Sequence, residues 1–154
     1  MSAFPNCRGR VLIVDDEPEM LEGMKMLLEM EGMDVTTHDS MITLPLILRK
    51  ADPEVILLDL SLRALSGEAF FRLGRERLLR HTNALVILFS GRPLAELAAT
   101  AEQFGADGVL PKSEDAMQAV ARVKTWVEQH RALRMARGKA ITDVTTRSAP
   151  APAY

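Results

Sequence analysis

Short runs of aliphatic and β-branched residues alternate with amphipathic stretches along most of the chain, and this alternation restricts the fold more than any other feature. The runs are Val11-Leu12-Ile13-Val14, Val35-Thr36-Thr37, Val55-Ile56-Leu57-Leu58, Ala84-Leu85-Val86-Ile87-Leu88-Phe89 and Val109-Leu110. The first, third and fourth show no polar alternation, as strands buried on both faces of a parallel sheet must not. The second is half polar through His38, and the fifth runs into Pro111, whose missing N–H suits an edge better than a middle. These two are the predicted edge strands.

Between the strands the spacing predicts helices over Pro18 to Glu31, about Ser40 to Lys50, Gly67 to Arg80, Leu94 to Phe104, and Glu114 into the Arg131–Arg137 stretch. Pro18 stands where its fixed φ and absent donor cost a helix nothing, and Gly32 closes the first helix. Met20, Met24, Leu27 and Leu28 recur at helical spacing and form an inward stripe, which Met26 and Met30 leave. Pro45 lies inside the second pattern, so that helix must kink or start late. Strand–helix alternation requires parallel strands joined by right-handed crossovers. The predicted fold is therefore α/β: a three-layer, doubly wound (βα)5 flavodoxin-like sandwich with strand order 2-1-3-4-5.

A chain of 154 residues is long enough for one buried core. The organisation expected is a flexible leader over 1–8, a domain over 9–131, and a helix extension with a disordered tail over 132–154. The small, polar, Pro/Ala-rich composition from Gly138 onward is what marks the tail. No run approaches the roughly 18 apolar residues of a membrane span. The leading MSAFPNCRGR has no apolar segment of the secretory kind, so a soluble, cytoplasmic protein is expected. Cys7 has no second cysteine to pair with, and it reads as an incidental thiol. A net charge of −2 lacks the basic surplus of phosphate-backbone binding, so no direct nucleic-acid contact is expected.

Ligands of an open parallel sheet bind beyond the carboxyl ends of its strands, where the strand order reverses. There the chain places Asp15-Asp16-Glu17 after the first strand, Asp59 after the third, Ser90-Gly91 after the fourth and Lys112 after the fifth. Clustered carboxylates repel one another unless a cation compensates them. All-oxygen ligation without His or Cys favours Mg²⁺, which takes one or two carboxylates and accepts phosphoryl oxygens. Lys112 and Ser90 offer a point charge and a hydroxyl for those oxygens, and a carboxylate can be the nucleophile that becomes an acyl phosphate. Taken singly, each Asp could be a helix cap, Ser90-Gly91 a turn and Lys112 a solvated side chain. Their ordered placement on four strands of one sheet favours a single site.

The motifs VLIVDDEP, VILLDLSLRALSG, VILFSG and GADGVLPK, in this order and spacing, resemble the receiver domain of bacterial two-component response regulators over about residues 9 to 130. The resemblance implies that Asp59 is the phospho-acceptor, that Asp16 binds Mg²⁺ directly and Asp15 mainly through water, and that the Ser61 backbone carbonyl is a further ligand. It also implies that Ser90 and Lys112 contact the phosphoryl group. The donor would be a phosphohistidine on a histidine kinase or phosphotransfer protein, and the protein would promote only its own phosphorylation and dephosphorylation. With no output domain evident in the sequence, the expected form is a stand-alone receiver, monomer or weak dimer, acting by phosphorylation-modulated binding to a downstream protein target.

Four positions depart from the family pattern. Val109 stands where a switch aromatic is usual, Ser113 replaces the proline after the lysine, Arg63 replaces a proline in the loop after Asp59, and Arg92 lies two residues beyond Ser90. A phosphorylation-independent interaction module is the alternative that the Val109 and Ser113 replacements keep open. A phosphatase with an Asp nucleophile would want a second Asp where Ser61 stands, and flavin binding would want a Gly/Ser/Thr-rich cradle where the first loop is acidic.

Overall fold

A computed structural model describes residues 8–59 and 82–147. Its strands are β1 (Arg10–Val14), β2 (Asp34–His38), β3 (Val55–Leu58), β4 (Leu85–Ser90) and β5 (Gly108–Pro111). Its helices are α1 (Pro18–Met30), α2 (Leu44–Ala51), α3 (Leu94–Phe104) and α4 (Ala116–Arg147). All strand pairs are parallel, and the order is β2-β1-β3-β4-β5. The expected helix over Gly67 to Arg80 lies outside the described residues, as do Ser61, Arg63 and Cys7. No helix among the described residues is long and apolar enough to cross a membrane.

Side chains on successive strand positions point to opposite faces, so each central strand supplies two cores. On one face Val11, Ile13, Leu57, Ile87 and Phe89 pack against Met24 and Leu28 of α1 and Val123 and Val127 of α4. On the other, Leu12, Val14, Ile56, Leu58 and Leu88 meet Leu44 and Leu48 of α2 and Leu97 and Phe104 of α3. Full burial of one such side chain is worth roughly 1.5–3 kcal/mol, which makes the central strands the least negotiable part of the chain. Met20 and Leu27 pack at the edge of the first core, whereas Met26 and Met30 are exposed, as the stripe predicts.

Three helix boundaries carry physical information. Gly32 adopts φ +83°, the left-handed conformation that stops α1, and the Met33 amide closes back on the Leu28 carbonyl at 3.2 Å. Helix α2 begins at Leu44 rather than Ser40, with Pro45 in its first turn. A proline deeper in the helix would have removed a hydrogen bond and met the preceding turn, so the late start prevails over the kink. Helix α4 begins at Ala116, where the Asp115 carboxylate accepts from the Gln118 amide at 3.3 Å.

At its other end α4 continues through Gly138 to Arg147, beyond the Arg131–Arg137 stretch into which the helix is expected to run. Once the preceding turns exist, a single glycine costs only about 1 kcal/mol relative to alanine, and the Ala, Lys and Arg residues around it are good helix formers. Residues 148–154 lie outside the described set.

Glu54, 2% exposed, joins α4 to the start of the sheet. It accepts from the Arg10 amide at 3.1 Å and from Arg131 Nε at 2.7 Å and Nη2 at 3.1 Å. Burial pushes its carboxyl up, but the hydrogen bonds from Arg131 and the Arg10 amide more than offset this, leaving it below its ordinary value of 4.5. A depressed carboxyl adds stability above its unfolded value, and that stability is lost as pH falls through the folded one. Glu54→Gln is therefore expected to lower the unfolding free energy at pH 7 by about 2 kcal/mol, because it strips two arginines of a buried partner. Urea titrations should show variant and wild type converging as pH falls below 4.5.

Candidate functional site

The register of the parallel strands sets the site. Val14 pairs with Leu58 and Leu58 with Leu88, so Asp15 and Asp59 emerge side by side just beyond the sheet, with Ser90 one residue further along the adjacent strand. The ladder extends into the site: the Asp59 amide donates to the Val14 carbonyl at 2.9 Å, and the Asp15 amide to the His38 carbonyl at 3.0 Å. The Lys112 amide donates to the Ser90 carbonyl at 2.8 Å, which fixes where the lysine leaves β5. Asp15, Asp59 and Ser90 are all buried.

Lys112 turns back across the strand ends and binds the acidic group together. Its Nζ lies 2.7 Å from Asp15 Oδ2, 3.1 Å from Asp59 Oδ2 and 3.2 Å from Glu17 Oε1. The ammonium also sits 5.5 Å from the centre of the Phe89 ring, whose face favours a cation. Burial would push the lysine toward neutrality, but the carboxylates of Asp15 and Asp59 beside it outweigh this and hold its pKa well above the ordinary lysine range. Lys112, followed by Ser113, reaches both aspartates.

The three carboxylates brought together are Asp15, Glu17 and Asp59, with one oxygen of each within 4.8 Å of the others. Asp15 is the most constrained. Its Oδ1 accepts from the Glu17 amide at 3.0 Å, while its buried Oδ2 meets the Lys112 charge without a well-aligned hydrogen bond. The ammonium directs its aligned bonds to Glu17 and Asp59 instead. Burial, only partly countered by Lys112 and the Glu17 amide, raises the Asp15 carboxyl above its ordinary value.

Asp16 is half-buried and stands outside this trio, lining an open acidic hollow with Glu17, Pro18 and Glu19. Ser61, expected to offer a backbone carbonyl, lies outside the described residues. Glu17 belongs to the acidic run but received no role from sequence. The turn in which Asp15 Oδ1 binds its amide leads the chain back over the strand end, and its carboxylate joins the lysine there. Ser90 Oγ accepts from the Arg92 amide at 3.2 Å, which seats the hydroxyl at the strand terminus.

The edge of the site next to Val109 is held by α4. Arg122 of α4 donates through Nη2 to the Val109 carbonyl at 2.8 Å and through Nη1 to Glu114 at 2.9 Å. Its guanidinium lies 5.2 Å from the Trp126 ring centre, and Trp126 in turn packs so close to Gly108 that a Cβ there would stand 3.0 Å from the indole.

Residues 11–124 match the family described as response regulator receiver domain. The chain is 30% identical over 121 residues to the nisin biosynthesis regulatory protein NisR of Lactococcus lactis subsp. lactis, covering 78% of this chain and 51% of that one. It is 31% identical over 129 residues to the transcriptional regulatory protein CpxR of Escherichia coli (strain K12), covering 79% and 53% respectively. The chain thus spans about half the length of these curated relatives. A CheY-like response regulator receiver domain protein from Methanospirillum hungatei superposes with a TM-score of 0.68 at 21% identity, over 80% of this chain and 97% of that one, which shows a shared fold.

The raised Asp15 carboxyl has a consequence for stability. Its ionisation costs more in the folded than in the unfolded protein, so the penalty is absent below pH 3.8 and accrues as pH rises through the folded value. Asp15→Asn is expected to be more stable than wild type at pH 7, with the gain shrinking as pH approaches 3.8, in urea unfolding followed at several pH values.

Proposed function

Because this chain belongs to the response regulator receiver domain family, we propose that it accepts a phosphoryl group on Asp59 from a phosphohistidine of a partner histidine kinase or phosphotransfer protein. A carboxylate oxygen of Asp59 bonds to phosphorus as the phosphorus–nitrogen bond breaks, and the electron pair returns to the imidazole nitrogen. The product is an acyl phosphate. One observation carries this reading: Asp59 is buried at the carboxyl end of β3 with its Oδ2 3.1 Å from a lysine that is charged at any physiological pH. Lys112 would pair with phosphoryl oxygens once Asp59 is phosphorylated, and Ser90 would donate its hydroxyl to them.

The donor set fits Mg²⁺. It is all oxygen, it is strongly anionic, and its Asp15 Oδ2 is a buried carboxylate oxygen that lacks an aligned hydrogen bond. Asp15, Asp16 and Asp59, with the Ser61 backbone carbonyl, are the residues proposed to hold the ion. When bound, it would neutralise charge on the phosphoryl oxygens.

The output proposed is altered affinity for a protein target, in the cytoplasm, through a shift in the population of two states of the α3–β5 edge. A phosphorylation-independent interaction module is the second reading, favoured by one feature: Arg122 pins the β5 edge at Val109, where the family places a mobile aromatic.

Incubation with Mg²⁺ and acetyl phosphate distinguishes the two. On a phosphate-affinity gel wild type is expected to shift, and Asp59→Asn, with an unchanged circular dichroism spectrum, is expected not to. A shift surviving in Asp59→Asn would overturn the assignment of Asp59. Absence of any shift in wild type would favour the interaction module.

A further inference from the structure

The amino ends of the strands, opposite the acidic site, carry a second polar recess. Residues that enter β1, β3, β4 and β5 (Arg10, Asp52, Asn83, Asp107) meet His130, Arg134 and Arg137 of α4 around a cavity of about 430 Å³. That volume falls within the range of small-molecule sites. His130, Arg134 and Arg137 lie beyond the residues that match the family, 11–124, so this wall of the recess belongs to the extension of α4.

The lining of the recess has a basic excess, with Arg10, Arg134 and Arg137 set against Asp52 and Asp107. Arg10 pairs with Asp52 at 3.7 Å and with Glu54 at 3.6 Å. Asp107 accepts from the Val86 amide at 2.8 Å. Glu54 is engaged by Arg10 and Arg131. Arg134 and Arg137, one helical turn apart on the same face of α4, meet no carboxylate among the described residues. Beside them the His130 side chain is more than nine-tenths buried. Its Nδ1 has no hydrogen-bond partner among the described residues and stands 3.8 Å from Glu54 Oε2.

Arg134 and Arg137 are both exposed, which leaves their guanidinium forks open to an anion beside the buried imidazole. A phosphate group satisfies both forks at once, whereas a single carboxylate satisfies only one. The polar side chains of Thr82 and Asn83 on the facing wall add donors for its remaining oxygens. From this geometry we infer that the recess between the amino ends of the strands and the extended α4 is a binding site for a small phosphate-bearing anion. Arg134 and Arg137 hold the phosphate in this site and His130 lines its floor. The site is independent of Asp59, which lies at the far ends of the same strands.

The test is an amide NMR titration of the full chain, in EDTA and at constant ionic strength, with inorganic phosphate and separately with adenosine 5′-monophosphate. Shifts are expected to cluster at residues 82–84 and 130–137 and to leave Asp59 and Lys112 unmoved. Arg134→Gln/Arg137→Gln keeps helix propensity, and it is expected to weaken binding about tenfold or more, the loss of two charge-assisted contacts. Tighter binding of the nucleotide would identify a phosphomonoester as the ligand; equal binding would identify phosphate itself. No saturable shift with either probe, shifts centred on Asp59 and Lys112, or undiminished binding in the double variant would each overturn the inference.

Discussion

A parallel sheet covered by helices on both faces leaves polar chemistry only two places to go, the carboxyl and amino ends of its strands. Between Arg10 and Ser90 at their ends, β1, β3 and β4 are apolar because each residue faces one core or the other. Among the described residues, the buried ionisable groups are therefore pushed to the rims. The acidic cluster with Lys112 occupies one rim, and Glu54 with its arginines and His130 the other.

The two rims solve the cost of buried charge in opposite ways. Glu54 receives a full set of aligned donors, and its carboxyl ends below the ordinary range, so that rim binds α4 to the sheet. At the carboxyl rim one ammonium serves three carboxylates, and Asp15 remains above its ordinary value. Burial of acids that one ammonium only partly compensates leaves an unfavourable energy that a further cation can relieve. Stability is given up at the site where chemistry is proposed and recovered at the opposite end.

Strand identity, strand order and the placement of Asp15, Asp59, Ser90 and Lys112 were legible in the sequence because burial on both faces leaves an unbroken apolar run, and whatever follows the run must sit at the rim. The inward stripe of α1 was legible for the equivalent reason at period 3.6. Other features depend on contacts that no local pattern encodes. Glu17 joins Lys112 only because the Asp15 side chain turns the chain at its amide. The Arg122 clamp on Val109 spans the gap between β5 and α4, and the Glu54–Arg131 pair links residues far apart in sequence. Composition does not mark how far α4 runs, because propagation of a long helix overrides the weak preference of Gly138 and the residues after it.

The central claim is that the Asp59 side chain becomes an acyl phosphate, and the most direct measurement is chemical trapping. The protein is treated with acetyl phosphate and Mg²⁺, reduced with borohydride, which converts an aspartyl phosphate to homoserine, and mapped by peptide mass spectrometry. The account requires homoserine at Asp59 and at no other aspartate. Homoserine at Asp15 or Asp16, or an unmodified Asp59 peptide from protein shown to carry phosphate, would contradict it.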